Sequence, residues 1–95
     1  PMSWQTAKEY AKSLRLGGHS NWRLPTIEEL VTLIDYSRLD PASSFPGMTS
    51  VWYWSSSSLA EVSSSYAWAV DFFVGLTDDL GKWDSYYVRC VRRGP

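Results

Sequence analysis

Two stretches determine the architecture: Tyr86-Tyr87-Val88-Arg89-Cys90-Val91-Arg92 and the earlier Gly17-Gly18-His19-Ser20-Asn21-Trp22-Arg23-Leu24-Pro25-Thr26. Each combines aromatic and apolar residues with arginine, and neither contains a catalytic motif. Planar guanidinium groups in such a frame hydrogen-bond to carboxylates or carbonyls. We therefore expect a rigid scaffold in which Arg23 and Arg89 are structural and interior, with contact to a ligand as the alternative. Their plausible carboxylate partners are Glu28, Glu29 and Asp71.

The composition predicts a single domain over residues 1–95. Hydrophobic residues make up 44% of the chain, and six Trp, six Tyr and three Phe supply large side chains for one core. No apolar run is long enough to insert in a membrane, and no signal peptide is visible. Because the chain begins at Pro1 beside a helical pattern and ends at Gly94-Pro95, we expect a domain excised from a longer protein, with any export signal removed together with the rest.

The charge distribution argues against a nucleic-acid partner. Residues 24–88 contain nine of the ten acidic residues, and most basic residues are divided between the two ends of the chain. Nucleic-acid-binding domains need a clustered basic face, and an acidic middle repels polyanions. Only two places could offer a basic patch: the face with Lys8, Lys12 and Arg15, and the end with Arg92-Arg93.

Hydrophobic periodicity predicts a first helix over residues 3–15. Its apolar stripe consists of Trp4, Ala7, Ala11 and Leu14. Ser3 is the expected N-cap, and Gly17-Gly18 is the expected terminator because glycine adopts the left-handed conformation readily. Residues 19–25 are then an irregular connector before the second helix.

A capping-box pattern predicts the start of a second helix. Thr26 is followed three residues later by Glu29, which is the spacing of that motif. The apolar stripe Ile27, Leu30, Val31 and Ile34 continues the helix to residues 36–37. Residues 38–50 contain prolines, a glycine and serines, so they predict a loop.

The rest of the chain has β character. Residues 51–56 and 66–74 read as strands, and residues 85–92 read as a closing strand. Between them we expect a polar loop at 55–65, with an apolar break at 59–62, a turn or bulge at Gly75, and tight turns at 76–85. Tyr66, Trp68, Val70 and Phe72 share one face of the second strand. The prediction is an α+β domain, with two helices packed on a small twisted antiparallel sheet with long loops.

A single histidine and a single cysteine leave little material for catalysis. His19 has no Gly-x-Ser-x-Gly context, so we expect it to orient the loop before Trp22 rather than act as a base. Cys90 lies between Val88 and Val91, and we expect a buried apolar residue, with a reactive thiol as the alternative. We therefore expect no enzymatic activity.

Aromatic residues beside charged ones mark the predicted ligand-contact surface. Sugar rings stack their apolar faces on exposed aromatic rings, while carboxylates and amides bind their hydroxyl groups. Trp83 lies between Lys82 and Asp84 and so offers both in one loop. The further candidates are Trp52, Phe73, Asp78 and Asp79. The alternative for the aromatic residues is core or subunit packing, which we assign to Trp4, Trp22, Trp54 and Trp68.

Three acidic residues raise the question of a metal ion. Asp78, Asp79 and Asp84 fall in one predicted loop, and calcium prefers several oxygen ligands. The spacing lacks the EF-hand pattern, so solvated turn-forming acids are the favoured interpretation and a calcium site is the alternative. No cofactor is expected.

Several short motifs run in order along nearly the whole chain. They are Trp4 with Ala7-Lys8, Leu16-Gly17-Gly18-His19-Ser20-Asn21-Trp22-Arg23-Leu24-Pro25-Thr26, Glu28-Glu29-Leu30, Tyr53-Trp54-Ser55-Ser56, Ala67-Trp68, Gly75, Lys82 and Tyr87-Val88-Arg89-Cys90-Val91-Arg92. With these motifs the chain resembles the bacterial family of the C-terminal domain of the Legionella collagen-like adhesin, long catalogued as a domain of unknown function.

The resemblance implies a C-type-lectin-like fold, of the kind shared with formylglycine-generating enzymes. Those enzymes use a pair of cysteines, which the lone Cys90 cannot supply. The resemblance also implies an extracellular, cell-surface or periplasmic location, or a place on a phage particle. The implied function is non-catalytic recognition of a glycan or a cell-surface protein in adhesion. The adhesin itself recognises sulfated glycosaminoglycans, which the acidic middle of this chain disfavours.

Two alternatives to that function remain open. The first is a structural or trimerisation module of a surface fibre or phage receptor-binding protein, since the adhesin is a homotrimer. Phe73, Val74, Leu76 and Leu80 are apolar where the family often has small polar residues, and they would then pack against a neighbouring subunit. The second is a variable ligand-binding domain of a diversity-generating retroelement.

Overall fold

The computed structural model describes residues 1–43, 47–58 and 65–92, and within them the chain forms two helices and two small antiparallel sheets. The helices are α1 (Trp4–Ser13) and α2 (Ile27–Val31). The strands are β1 (Trp22–Arg23), β2 (Trp52–Ser58), β3 (Tyr66–Asp71), β4 (Leu76–Gly81) and β5 (Val91–Arg92). The sheets have the orders β2-β3-β4 and β1-β5. The predicted α+β class with two helices and a small antiparallel sheet is confirmed.

The three-stranded sheet is covered by a helix on each face. Successive strand residues point to opposite faces, and Trp54 pairs with Ala69 while Tyr53 pairs with Val70. The α1 face is the cluster Trp4, Ala7, Ala11, Leu24, Trp54, Ala67 and Ala69. The α2 face is the cluster Leu30, Met48, Tyr53, Val70 and Phe72. The side chains of β3 alternate as predicted, but both faces of the strand are buried, one against each helix.

The beginning and the end of the described chain meet beside β2. Met2 and Tyr86 exchange two backbone hydrogen bonds of 2.8 and 2.9 Å. Tyr87 bonds instead to β2, donating to the Trp52 carbonyl at 3.0 Å and accepting from the Trp54 amide at 2.9 Å. The predicted continuous strand at 85–92 is therefore wrong, since neighbouring residues pair with different partners and a regular strand resumes only at β5.

Helix α1 is shorter than predicted and ends differently. It stops at Ser13, and the Ser3 hydroxyl donates to the Thr6 hydroxyl at 3.0 Å instead of capping a backbone amide. Gly17 and Gly18 do not terminate it. With φ values of 61° and 78° they form the two-residue turn of a hairpin in which Leu16 and His19 exchange backbone hydrogen bonds. The connector that follows contains β1, which pairs with β5.

Helix α2 begins as predicted, with both hydrogen bonds of the Thr26–Glu29 capping box present. It ends at Val31, five to six residues short of the predicted end. The next turn tightens, with Leu33 and Ile34 donating to carbonyls three residues back, and the Asp35 amide then bonds to the Ala42 carbonyl at 2.8 Å. The apolar stripe nevertheless packs on the α2 face throughout.

The second half has one more strand than the sequence predicts. Strand β2 extends to Ser58, and the predicted apolar break at 59–62 lies outside the described residues. Strand β3 ends at Asp71, where a turn closed by Gly75 (φ 83°) leads directly into β4. The predicted tight turns at 76–85 are wrong over most of their length, because Leu76–Gly81 pairs residue by residue with β3.

Candidate functional site

An exposed pair of aromatic rings lies at the end of the sheet where β3 begins and β4 ends. The Trp83 side chain is 65% exposed and Tyr66 is 43% exposed. Their ring centroids are 5.8 Å apart at an interplanar angle of 61°, which is an edge-to-face contact. The Trp83 ring lies over Gly81, since a Cβ there would come within 3.0 Å of ring atoms Cε2 and Cζ2. A side chain at position 81 would therefore displace the indole by a few tenths of an ångström from this placement.

Two carboxylates accompany these rings on the same face. Asp79 alternates with Gly81 along β4 and pairs with Trp68, which alternates with Tyr66 along β3. The Asp84 carboxylate approaches to 3.3 Å from the position of a Gly81 Cβ, so it lies beside the indole. We call Tyr66, Trp68, Asp79, Trp83 and Asp84 the aromatic end of the sheet. It belongs to the α2 face, beyond the part that the short helix covers.

Lys82 does not share this surface, although it is the neighbour of Trp83 in sequence. Its ammonium lies 4.2 Å from the centroid of the Trp4 ring, and that of Lys8 lies 4.3 Å from the same centroid. The Trp4 indole is buried and donates to the Ser55 carbonyl at 2.8 Å. Lys82 thus contributes a cation–π contact to the α1 side of the core, and its predicted place beside Trp83 is wrong.

The remaining predicted ligand contacts are dispersed. Trp52 is half-buried against the α1-face cluster, and Phe73 is exposed at the β3–β4 turn, the opposite end of the hairpin. Asp78 and Asp79 are consecutive on β4, so their side chains point to opposite faces. The prediction that they share one loop with Asp84 is therefore wrong. Over residues 1–43, 47–58 and 65–92 no group of three or more His, Cys, Asp or Glu side chains is placed to hold a metal ion.

Arg23 holds a carboxylate at the surface and not in the interior. Its Nη1 and Nη2 donate to the two Glu29 carboxylate oxygens at 2.7 and 2.8 Å, with the two side chains 39% and 44% exposed. Glu29 also accepts from the Thr26 amide at 2.8 Å. The Arg23 hydrogen bonds, followed by the Thr26 amide, lower the pKa of Glu29 from 4.5 to about 2. Arg89 is half-buried near Gly47.

Trp22 lies between two clefts, a position that the sequence did not indicate. One cleft, of about 230 Å³, is lined by Lys8, Lys12, Trp22, Arg23, Leu24 and Ser56. The other, of about 340 Å³, is lined by Trp22 together with Tyr10, Leu14, Leu16, Val88, Arg89 and Cys90. The indole donates to the Leu16 carbonyl at 3.3 Å. The sequence signal for the first cleft was the pair Lys8 and Lys12, which lie one helical turn apart on α1. Both belong to the basic face named with Arg15 in the sequence analysis.

The other residues for which the sequence predicts a structural role differ in how far they are buried. Trp54 is fully buried and donates to the Met2 carbonyl at 2.9 Å, whereas Trp68 and His19 are half-buried. Cys90 is half-buried at the edge of the core, and burial raises the pKa of its thiol. A raised pKa lowers the thiolate fraction, which disfavours the reactive-thiol alternative. Arg93 of the predicted basic end lies outside the described residues.

An apolar tip projects at the β3–β4 turn. Phe73, Val74 and Leu76 are exposed there, and the exposed Tyr36 ring packs within 3.4 Å of a Gly75 Cβ position. Leu80 is not part of this tip. It packs against the α1-face cluster, so its predicted place on an outward surface is wrong.

A search of the described residues for a transmembrane helix finds none of sufficient length and hydrophobicity.

Comparison with known proteins identifies the family. No curated protein and no solved structure gives a significant match to the chain. The sequence model of the family described as the Lcl C-terminal domain matches residues 1–92, which confirms the resemblance drawn from the short motifs. The chain therefore belongs to the Lcl C-terminal domain family.

Proposed function

We propose that this domain is a non-catalytic, lectin-like recognition module that binds a neutral glycan at the aromatic end of the sheet. Family membership associates it with a surface-exposed adhesin. The proposal adds the ligand class and the binding surface to that association. The observation that carries it is the exposed Trp83 indole, supported from below by Gly81 and flanked by Tyr66.

The chemistry of this surface suits a sugar. A large aromatic ring left exposed on a small domain provides apolar area that a C–H face of a pyranose can cover. Asp84 beside the ring and Asp79 on the same face supply acceptors for hydroxyl groups. A small number of placed polar groups beside an apolar platform is the usual composition of a ligand site.

Charge favours a neutral ligand over a sulfated one. The aromatic end carries two carboxylates, while the nearby Lys82 ammonium is directed to the Trp4 ring on the other side of the sheet. A sulfated glycan would therefore meet like charge on approach. The acidic middle of the sequence supports the same choice.

The topology is compatible with a C-type-lectin-like fold. The Met2–Tyr86 bonds and the β1–β5 pair bring the beginning and end of the domain together. The chain between them forms two helices and the three-stranded sheet. The aromatic end therefore lies on a scaffold whose two terminal segments are hydrogen-bonded to each other. This arrangement supports the fold expectation that accompanies the recognition function.

A glycan array followed by titration tests the proposal. The wild-type domain is expected to retain neutral oligosaccharides, and Trp83→Ala is expected to bind the best of them about tenfold or more weakly, a difference of about 1.4 kcal/mol. Phe73→Ala is the matched control, since it removes an exposed aromatic ring from the opposite end of the hairpin. Unchanged affinity in Trp83→Ala, or an equal loss in Phe73→Ala, would contradict the proposed surface.

The apolar tip supports a second candidate function, assembly into a homo-oligomer. Phe73, Val74 and Leu76 are exposed together, and exposed apolar groups of this kind mark interaction surfaces. Light scattering would then give an oligomer for the wild type and a smaller mass for Phe73→Ala, with Trp83→Ala unchanged. A monomeric wild type over the accessible concentration range would remove this candidate.

A further inference from the structure

Strand β4 is an open edge of the three-stranded sheet. It is the last strand in the order β2-β3-β4, and Leu76, Thr77 and Asp78 are exposed. Across the described residues, no strand pairs with its outer side. An unpaired edge of this length is a template for pairing with another chain.

The backbone groups that face outward follow from the register. The Lys82 amide donates to the Ser65 carbonyl at 2.8 Å, directly across the continued β3–β4 register. Hydrogen-bonded pairs alternate with non-bonded pairs in an antiparallel ladder. Leu76, Asp78 and Leu80 therefore bond to β3, and Thr77, Asp79 and Gly81 direct their amides and carbonyls away from the sheet.

Two of these outward groups already have partners within the strand and its turn. The Asp78 carboxylate Oδ1 accepts the Asp79 amide at 2.8 Å, and the Gly81 carbonyl accepts the Asp84 amide at 3.1 Å. Asp79 lies in the middle of the outward-facing set. Its amide is the one that an incoming strand would need in order to bond continuously along the edge.

We propose that the Asp78 carboxylate guards this edge against pairing with β4 of a second copy of the domain. A second copy is the relevant partner because two β4 strands related by a twofold axis present identical outward groups to each other. Asp78 prevents this in two ways. It occupies the central amide. In the register that places Asp78 opposite Asp78 of the second copy, it would also bring two carboxylates together across the new strand pair.

Matched variants separate the amide cap from the charge. Asp78→Ala removes both, whereas Asp79→Ala removes one carboxylate of the same strand that caps no amide, and Asp78→Asn keeps an acceptor without the charge. Sedimentation velocity over a concentration series is expected to give Asp78→Ala at least double the wild-type mass. Asp79→Ala and Asp78→Asn are expected to remain at the wild-type mass. Wild-type mass for Asp78→Ala, or an equal gain for Asp79→Ala, overturns the proposal.

A rescue variant and a measurement on the wild type complete the test. Thr77→Pro removes an outward amide without removing a ladder hydrogen bond, so it should restore the wild-type mass when combined with Asp78→Ala. In the unmodified domain, hydrogen exchange is expected to be at least tenfold slower at the Asp79 amide than at the Thr77 amide. Persistent association of the double variant, or equal exchange rates, overturns the proposal without relying on the single variant being folded.

Discussion

Glu29→Gln is the substitution whose effect can be worked out most fully from the structure. In the folded domain Glu29 accepts both Arg23 donors and the Thr26 amide, and its pKa is lowered from 4.5 to about 2. Without solvent screening, that pKa difference would contribute about 3 kcal/mol to the free energy of unfolding. Because the Arg23 and Glu29 side chains are 39% and 44% exposed, solvent screening reduces it to about 1 kcal/mol.

The pH dependence gives the prediction its sign. A carboxyl group whose folded pKa is lowered contributes stability that is present above its unfolded pKa and is lost as the pH falls through the folded one. Glu29→Gln should therefore lower the free energy of unfolding by about 1 kcal/mol at pH 7. The difference from wild type should narrow progressively between pH 4.5 and about 2.

Urea unfolding at several pH values, followed by circular dichroism, checks this. Glu28→Gln is the matched control, because Glu28 is exposed in the same first turn of α2 and loses the same charge. We expect its unfolding free energy to stay within about 0.5 kcal/mol of wild type. Equal effects of the two substitutions at pH 7, or a Glu29→Gln deficit that is as large at pH 2.5 as at pH 7, would contradict a stabilising role of the ionised Glu29 carboxylate.

Three further substitutions test the packing of the scaffold. Gly75→Ala should destabilise by about 3 kcal/mol and Gly18→Ala by only about 1 kcal/mol, as measured by urea unfolding. Both glycines have positive φ, but a Cβ at Gly75 comes within 2.9 Å of Ile34 Cγ2 whereas Gly18 has open space, so equal costs would contradict this packing. Trp54→Phe should cost about 2–3 kcal/mol by the same assay, because it loses volume and the hydrogen bond to the Met2 carbonyl. A cost below about 1 kcal/mol would place the indole outside the core.

Local signals predicted local structure well. The start of α2 was predictable because Thr26 and Glu29 satisfy each other's backbone amides within one turn. Its end was not, because the Asp35 amide leaves the helix to bond to the Ala42 carbonyl, a contact that no short window of sequence contains. The apolar periodicity that predicts a longer helix was here overridden by a hydrogen bond to a residue outside the helix.

In β4 the local sequence signals predict the wrong structure. Asp78, Asp79 and Gly81 are turn-forming residues, and they predicted turns. On an open edge the same residues have another use, since charged side chains and a local amide cap discourage pairing with other chains. Pairing with β3 determined the conformation, and the register of that pairing is not encoded within β4 itself.

The candidate site was predictable only in part. The sequence indicated Trp83 with Asp84, and the structure keeps them together beside Gly81. It could not show that Lys82 turns to the Trp4 ring, because alternation along the chain after β4 decides which face each residue joins. Tyr66 came to the site through cross-strand pairing with Gly81, a long-range contact.

The proposed function depends on the exposed indole of Trp83 being the contact surface for a neutral glycan. The most direct measurement follows the indole N–H resonances of the wild-type domain while the best neutral oligosaccharide from the array is added. The Trp83 signal should shift with the titration, and the buried, hydrogen-bonded signals of Trp4 and Trp54 should stay in place. A shift of the Trp22 signal with Trp83 unchanged would contradict the claim and move the binding surface to the clefts beside α1.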